Sequence, residues 1–414
     1  MKGKFYLMFI VLLSAGFFAC SDDDGGGSVK YPKGEIKLSA EQEDINQNAQ
    51  KFAWKLFANV YKSEAPKGKN ILVSPLSFNY ALGMLQNGAA GETLNEILKT
   101  LEFEGKSIEA INEFYRLLED EMDDVDRSLT LETANSFWYR EDVPVVDDFI
   151  ATNKKYYDAE VSAQNFEDPN TVNIINNWCA DNTNGKITKV IERIDREMIY
   201  YLINAVYFKG KWEQQFSKKD TKTATFTLAD NTKVEAQFMN QEIEDSPYFE
   251  NDALSYSALN FGNGAYQMFF ALPKENTEME QVLNVLSDIR SDQQQPSSTV
   301  EYVIPKFETE YNINLIPIMR SMGMTNIFSL QANFRKLADI DNFVAILLQK
   351  TYIKIDEEGG EAAGITVVGG METSIEPTQS VLFKLDRPFL YGIRETSTGT
   401  ILFLGHLANP LQTK

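Results

Sequence analysis

IDEEGGEAAGITVVGGMETSIEPT, residues 355–378, decides how this chain is read. The stretch opens on acidic residues, passes through two glycines into small residues, and continues as a β-prone run with no proline before Pro377. Such a run is extended but short of bulk, so it packs poorly as a permanent core strand and suits a mobile loop better. It also has the pattern of a strand held in reserve. Side chains alternate across a strand, so Gly360, Ala362, Gly364, Thr366, Val368 and Gly370 share one face, and none of them is charged. The other face carries Glu361, Ala363, Ile365, Val367, Gly369 and Met371, with its one charge at the start.

Composition bounds what such a segment can serve. With 414 residues, 43% of them apolar, the chain can bury a sizeable core, as one large mixed fold or as two or three domains. A net charge of −21 argues against a nucleic-acid surface, which needs clustered Lys and Arg, and reads as solvated acidic faces. The one histidine, His406, lies on a predicted closing strand and reads as structural. A Ser-His-Asp hydrolase would have to use it, and no Gly-x-Ser-x-Gly elbow is present. Cys-x-x-Cys, His-Glu-x-x-His and phosphate-cradling glycine motifs are missing as well, so no enzyme activity, metal or cofactor is expected.

At the N terminus, Lys2 and Lys4 precede an apolar run from Phe5 to Ala19, too short for a membrane span and right for a secretory signal over residues 1–19. Phe17 does not suit ordinary signal cleavage, and Cys20 resembles the acylated cysteine of a bacterial lipoprotein; a soluble secreted form is the alternative. Ser21-Asp22-Asp23-Asp24-Gly25-Gly26-Gly27 is an acidic tether within residues 20–38. It is a plain spacer, or it resembles the tag with which some Gram-negative bacteria send lipoproteins to the outer face of the outer membrane. On that reading the protein is a surface lipoprotein touching the membrane through its anchor alone. With Cys20 acylated, the second cysteine, Cys179, has no disulfide partner. Beside Trp178 on a predicted helix, with no histidine near in sequence, it reads as a packing residue.

A single domain is expected over residues 39–414, with no internal repeat. Ser39 and Gln42 make a capping-box pattern, and Ile45, Ala49, Phe52, Ala53, Leu56, Phe57 and Val60 share a helical face. Ser74 and Ser77 precede an apolar helix from Phe78 to Leu85, where hydroxyls serve as caps. Helices follow between Gly91 and Asp126, then a strand over Ser128–Trp138 and helices over Asp147–Ala159 and Thr171–Asn184, the last ended by Gly185. Met198–Phe208 suits a central strand whose Asn204 needs a partner across the sheet. Phe216–Leu272 alternates like several antiparallel strands. Thr277–Ile289 reads as a helix with Thr277 and Glu280 at capping-box spacing, Val300–Asn312 as a strand, Ile313–Met322 as a helix closing at Gly323, and Val344–Ile355 as a strand.

The run Asp356-Glu357-Glu358-Gly359-Gly360-Glu361-Ala362-Ala363-Gly364 resembles the hinge of the reactive-centre loop of serpins. Arg387-Pro388-Phe389, Gly399 to Gly405 and Asn409-Pro410 resemble that family's closing strands, in order. The resemblance covers about Ser39 to Pro410. It implies an α+β fold of three β-sheets and about eight or nine helices, with an exposed reactive-centre loop near residues 357–380. It further implies that Ser74, Ser77, Asn204 and Gln349 form a sheet-opening cluster, with Gln349 where the family usually has histidine, and that Lys209 to Trp212 mark the top of the main sheet. Gln349 does not titrate near neutrality, so histidine-linked pH dependence of sheet opening is not expected.

The implied activity is suicide inhibition of serine proteases, with cysteine proteases as a further target class: the loop is cut, an acyl-enzyme forms, and the freed strand enters the main sheet. Counting seventeen residues from Glu357 (373 − 357 + 1) puts the bait bond at Thr373–Ser374, with Glu372–Thr373 and Met371–Glu372 as alternatives. Thr373 or Met371 fits an elastase-like or subtilisin-like protease, and Glu372 a Glu-selective one. No Lys or Arg lies between Ile355 and Lys384, which disfavours a trypsin-like target. The protein is expected to act as a monomer. Two departures stand out: Gly360 where Thr or Ser is frequent, and Ile365 where Ala is. The alternatives are a non-inhibitory serpin and a surface lipoprotein acting as a binding module.

Overall fold

A computed structural model describes residues 31–195, 197–289, 297–360 and 380–413. Eight helices appear among them: α1 (Ala40–Glu64), α2 (Pro75–Gly88), α3 (Gly91–Thr100), α4 (Ile108–Glu121), α5 (Asp147–Tyr157), α6 (Thr171–Asp181), α7 (Met279–Asp288) and α8 (Ile316–Ser321). The first seven strands are β1 (Ile71–Val73), β2 (Thr130–Arg140), β3 (Glu160–Gln164), β4 (Tyr200–Lys211), β5 (Lys222–Thr227), β6 (Lys233–Glu250) and β7 (Leu254–Phe261). The other eight are β8 (Tyr266–Pro273), β9 (Ser297–Pro305), β10 (Phe307–Asn314), β11 (Leu348–Asp356), β12 (Gly359–Gly360), β13 (Val381–Lys384), β14 (Phe389–Glu395) and β15 (Ile401–Leu407).

The strands form a six-stranded sheet in the order β10-β11-β12-β4-β2-β3 and a nine-stranded one in the order β1-β15-β14-β8-β7-β6-β9-β13, with β5 also on β6. Three sheets are implied by the resemblance; among the described residues two hydrogen-bonded sheets are observed, because β6 runs unbroken from its pairing with β5 and β9 to its pairing with β7. Its register shifts between Ile243 and Ser246, around Asp245 at φ 53°, and there the large sheet changes partners. Helix α1 starts at the expected capping box: Ser39 Oγ accepts from the Gln42 N–H, and Gln42 Oε1 from the Ser39 N–H. Helix α2 is buried between the two sheets, polar Ser77, Asn79 and Gln86 included, with Ser74 at its N-cap accepting from the Ser77 N–H at 3.2 Å.

Several boundaries depart from the sequence pattern. Val300–Asn312 is not one strand: β9 ends at Pro305, the Lys306 N–H turns onto the Gln237 carbonyl, and β10 joins the other sheet. Ile313 and Asn314 continue β10 opposite Gln349 and Leu348, so α8 starts only at Ile316. The Thr277/Glu280 capping box is not formed. Helix α7 begins at Met279 with Glu278 at its N-cap, and the Thr277 N–H closes a turn on the Lys274 carbonyl instead. Helix α6 stops at Asp181, and the Gly185 N–H, at φ 75°, returns to the Ala180 carbonyl. Strand β11 starts at Leu348 rather than Val344, because residues 344–347 leave the ladder.

Two buried titratable groups respond to pH with opposite sign. Burial pushes Glu119 up to about 7; Thr133 donates to Oε1, and Oε2 has no hydrogen-bond partner. Burial lowers His406 to about 4; its ring sits edge-on to Tyr61, centroids 5.1 Å apart, and Nδ1 is unpartnered. A raised carboxyl stabilises fully below its unfolded value near 4.5 and loses that contribution as pH rises through about 7. A depressed imidazole stabilises above 6.5 and loses that contribution as pH falls through about 4. Denaturant unfolding of Glu119→Gln is therefore expected to remove the loss of stability between pH 5 and 7. His406→Gln should flatten the loss from pH 6 to 4, worth about 3 kcal/mol at about 1.36 kcal/mol per unit.

Candidate functional site

The site lies at the end of the six-stranded sheet where β11 turns back on itself. After Asp356, Gly359 adopts φ 141° and the chain reverses, so that Asp356 pairs with Gly359 and Ile355 with Gly360. On their other side Gly359 and Gly360 pair with Lys211 and Gly210 of β4. The start of the predicted reserve strand thus already stands between β4 and β11. A Cβ at Gly359 would fall 2.2 Å from the Gly210 carbonyl oxygen and 2.7 Å from Lys211 Cα, so only glycine fits. A Cβ at Gly360 would meet nothing nearer than 3.8 Å, so the glycine found where Thr or Ser is frequent is not forced by space.

Polar contacts clamp this hinge from both sides. The Trp212 indole donates to the Asp356 carbonyl at 2.9 Å and the Trp212 N–H to the Glu358 carbonyl at 3.0 Å, while its ring stacks on Phe261 with centroids 4.4 Å apart. The Phe216 N–H donates to the Glu357 carbonyl at 2.9 Å. Buried Glu357 accepts from the Thr221 hydroxyl and from the Lys306 ammonium, each at 2.7 Å, and Glu358 pairs with Lys218 at 2.7 Å. Burial alone would raise the Glu357 carboxyl; the Lys306 and Thr221 hydrogen bonds outweigh it and hold the group below its ordinary value. The sequence marked Glu357 and Trp212. It carried no signal for Lys306, Thr221, Lys218 or Phe261, each far from the hinge along the chain.

Below the hinge β4 and β11 run parallel, both antiparallel to β12, and no ladder joins them among the described residues. They flank a cavity of about 40 Å³ lined by Tyr201, Asn204 and Ala205 on one side, Val344 and Leu347 on the other, and Cys179. The Cys179 thiol is fully buried and pushed up to about 12 by desolvation, as befits a packing residue. Of the four cluster residues, three meet. Gln349 accepts from the Ser74 N–H at 3.0 Å and donates to the Ser74 carbonyl at 2.8 Å, and Ser74 caps Ser77. Asn204 does not join them: it donates to Asn135 of β2, across the sheet, and its Oδ1 has no hydrogen-bond partner. Asn204 lines the cavity from β4, whereas Gln349 is turned to Ser74. Glu361, Ala362, Ala363, Gly364, Met371, Glu372, Thr373, Ser374 and Cys20 lie outside the described residues.

Fold and hinge together define a mixed-sheet protein whose smaller sheet seats Gly359 and Gly360 between two longer strands. The serpin (serine protease inhibitor) family matches residues 47–410, and the chain belongs to that family. It is 31% identical to neuroserpin of Rattus norvegicus over 85% of this chain and 89% of that one. It is 27% identical to heparin cofactor 2 of Rattus norvegicus over 95% and 82%. Among solved structures, the thermophilic serpin tengpin in its native state has 32% identity and a TM-score of 0.81 over 92% of this chain and 97% of that one. A thyroxine-binding globulin complexed with thyroxine has 26% identity and a TM-score of 0.78 over 90% and 100%.

Gly359→Ala is expected to expel the hinge from between β4 and β11 and to lower stability by about 1–3 kcal/mol, while Gly360→Ala stays within about 0.5 kcal/mol of the parent in thermal unfolding. Lys306→Ala should cost about 2 kcal/mol by leaving the Glu357 carboxylate without its charged partner, and the difference from the parent should shrink as pH falls and that carboxylate protonates.

Proposed function

We propose that this serpin is a suicide-substrate inhibitor that captures a serine protease by completing its six-stranded sheet. One observation carries the reading: β4 and β11 stand side by side without a ladder, with Gly359 and Gly360 already seated between their upper ends. The protease nucleophile attacks the Thr373 carbonyl carbon and the amine of Ser374 leaves with a proton from the protease's general acid; Glu372 and Met371 are the alternative donors of the acyl group. An ester now links the freed strand to the enzyme.

Continuing the observed register gives the partners expected for the freed strand. Gly360 lies opposite Gly210 and opposite Ile355, so six residues further Thr366 comes opposite Asn204 on β4 and Gln349 on β11. Its hydroxyl would serve the unpartnered Asn204 Oδ1. By the same count Gly370 reaches Tyr200, the first residue of β4, so residues 361–370 fill the cleft and a bond at or beyond Met371 lets all of them enter. Each new ladder bond contributes about 0.5–1.5 kcal/mol, so ten or so residues release roughly ten kcal/mol, enough to drag the acylated protease and distort it before water attacks the ester. Both new ladders would be antiparallel, the better pairing. The uncut segment is held at its far end by β13, four residues paired in parallel with β9, and cleavage removes that restraint.

An elastase-like or subtilisin-like protease is the partner that Thr373 or Met371 suits. We place the protein on the outer face of a Gram-negative outer membrane, monomeric and held through acylated Cys20. Incubation with such a protease is expected to give a complex that survives denaturing electrophoresis, and a cut form far more heat-resistant than the intact one. A trypsin-like protease should give neither. Clean cleavage with no complex and no gain in heat resistance would sink the inhibitor reading, and the mass of the released fragment identifies the bait bond.

A further inference from the structure

Glu119 ties α4 to the smaller sheet. It stands in the last turn of α4 and accepts at Oε1 from the Thr133 hydroxyl of β2 at 2.5 Å, while its Oε2 is closed to solvent and has no hydrogen-bond partner. The Tyr80 phenol of α2 faces the same carboxyl, and its hydroxyl is unpartnered too. So is that of Tyr115, one turn back on α4, whose ring lies 5.3 Å from the Tyr80 ring. Both tyrosines are fully buried. The third ring of the group, Tyr157 of α5, is bonded to Asn112 at 2.7 Å. Most of the charge facing Glu119 is of its own sign: Asp123 follows α4, Asp158 follows α5, and Glu132 of β2 acts on Asp123. Arg116, one turn back, is engaged by Asp120 at 2.9 Å, and among the described residues no Lys or Arg pairs with Glu119. The last turn of α4 holds Glu119, Asp120 and Glu121 and no basic residue, so these acids stand at the negative end of the helix dipole.

A buried carboxylate with one donor and no cation is costly, and a proton is the partner that removes its charge. We propose that Glu119 is a proton-operated clasp: protonated, it holds the end of α4 on β2 and α2, and ionised, it lets that end loosen. In the protonated state Oε1 keeps the Thr133 bond and the O–H on Oε2 donates to Tyr80 Oη, so that three elements share one carboxyl. In the ionised state both hydroxyls can still donate, but the charge stays enclosed beside Asp123 and Asp158 and is relieved when water reaches it. The loosening is bounded on both sides. Tyr266 donates to the Met122 carbonyl at 2.7 Å, and Ser107 caps the other end of α4 through the Ala110 N–H. The moving part is therefore the last two turns, Tyr115 to Glu121, whose opening uncovers the phenols of Tyr80 and Tyr115. Burial raises Glu119 to about 7, so the clasp works around neutrality. β2 is paired with β4 over Tyr200–Lys209, which puts the clasp one strand away from the β4 edge beside the cavity.

The test is amide hydrogen exchange of the full chain, read by mass spectrometry at several pH values on either side of neutrality, with each rate corrected for the intrinsic rise with pH. An opening that releases a carboxyl from about 7 to its free value near 4.5 grows as pH rises and levels off above about 7. Protection of residues 115–121 is thus expected to fall roughly tenfold between about pH 6 and 8 and then to level off. At the upper end these residues should exchange at least roughly tenfold faster than β14, which marks the opening as local. In Glu119→Gln, neutral at every pH, protection of the same residues should stay level. In Thr133→Val, which removes the donor that favours the anion, the levelling should move to higher pH. Protection that does not change with pH in the parent would overturn the inference. So would the same fall in Glu119→Gln, exchange of residues 115–121 at the rate of β14, or a levelling in Thr133→Val that stays in place or moves to lower pH.

Discussion

Two strands lie side by side in one sheet without sharing a ladder, and most of what is distinctive in this molecule follows from that. β4 is paired with β2 over Tyr200–Lys209 on one side and β11 with β10 over Leu348–Ile355 on the other, yet among the described residues their facing edges meet only the two residues of β12. Strand edges are ordinarily paired, covered or closed into barrels because unmet backbone groups are costly and recruit other chains. Here the edges are kept apart inside the molecule. Helix α6 and the segment after it cover the outer side, where Ile187 and Cys179 pack on Ala205, and Lys350 reaches the Lys189 carbonyl. The inner side rests on α2, whose capping serine Ser74 is held by Gln349.

The clamp around the hinge decides how far a third strand gets before it is released. Trp212 reads the backbone of Asp356 and Glu358, Lys306 neutralises Glu357, and Gly359 alone can pass the Gly210 carbonyl. These contacts hold the two residues of β12 in place. Beyond the loop the chain is attached again, through β13 to β9.

Much of this was legible in the residues, because the signals were local. The Gly359-Gly360 pair, the capping box at Ser39 and the apolar periodicity of α1 each depend on neighbours along the chain. What failed was tertiary. Whether Pro305-Lys306 continues a strand or changes sheets depends on the Gln237 carbonyl, distant in sequence. Thr277 and Glu280 have the right spacing for a box, but the turn on Lys274 moves the helix start two residues on. Asn204 needed a partner across the sheet, as expected, but only the register of β2 against β4 names it as Asn135. Lys306 and Thr221 had no signal of their own, since a lone lysine and a lone threonine become a carboxylate clamp only once three separate segments converge.

The placing of β15 has a bearing on biogenesis. Residues 404–406 pair with 71–73, and β15 lies between β1 and β14, so the large sheet cannot close until residues 401–407 have left the ribosome. Contacts so distant in sequence form slowly. The hairpin of β11 and β12, by contrast, draws on a few neighbouring residues, so the hinge and the large sheet differ in how much of the chain each one requires.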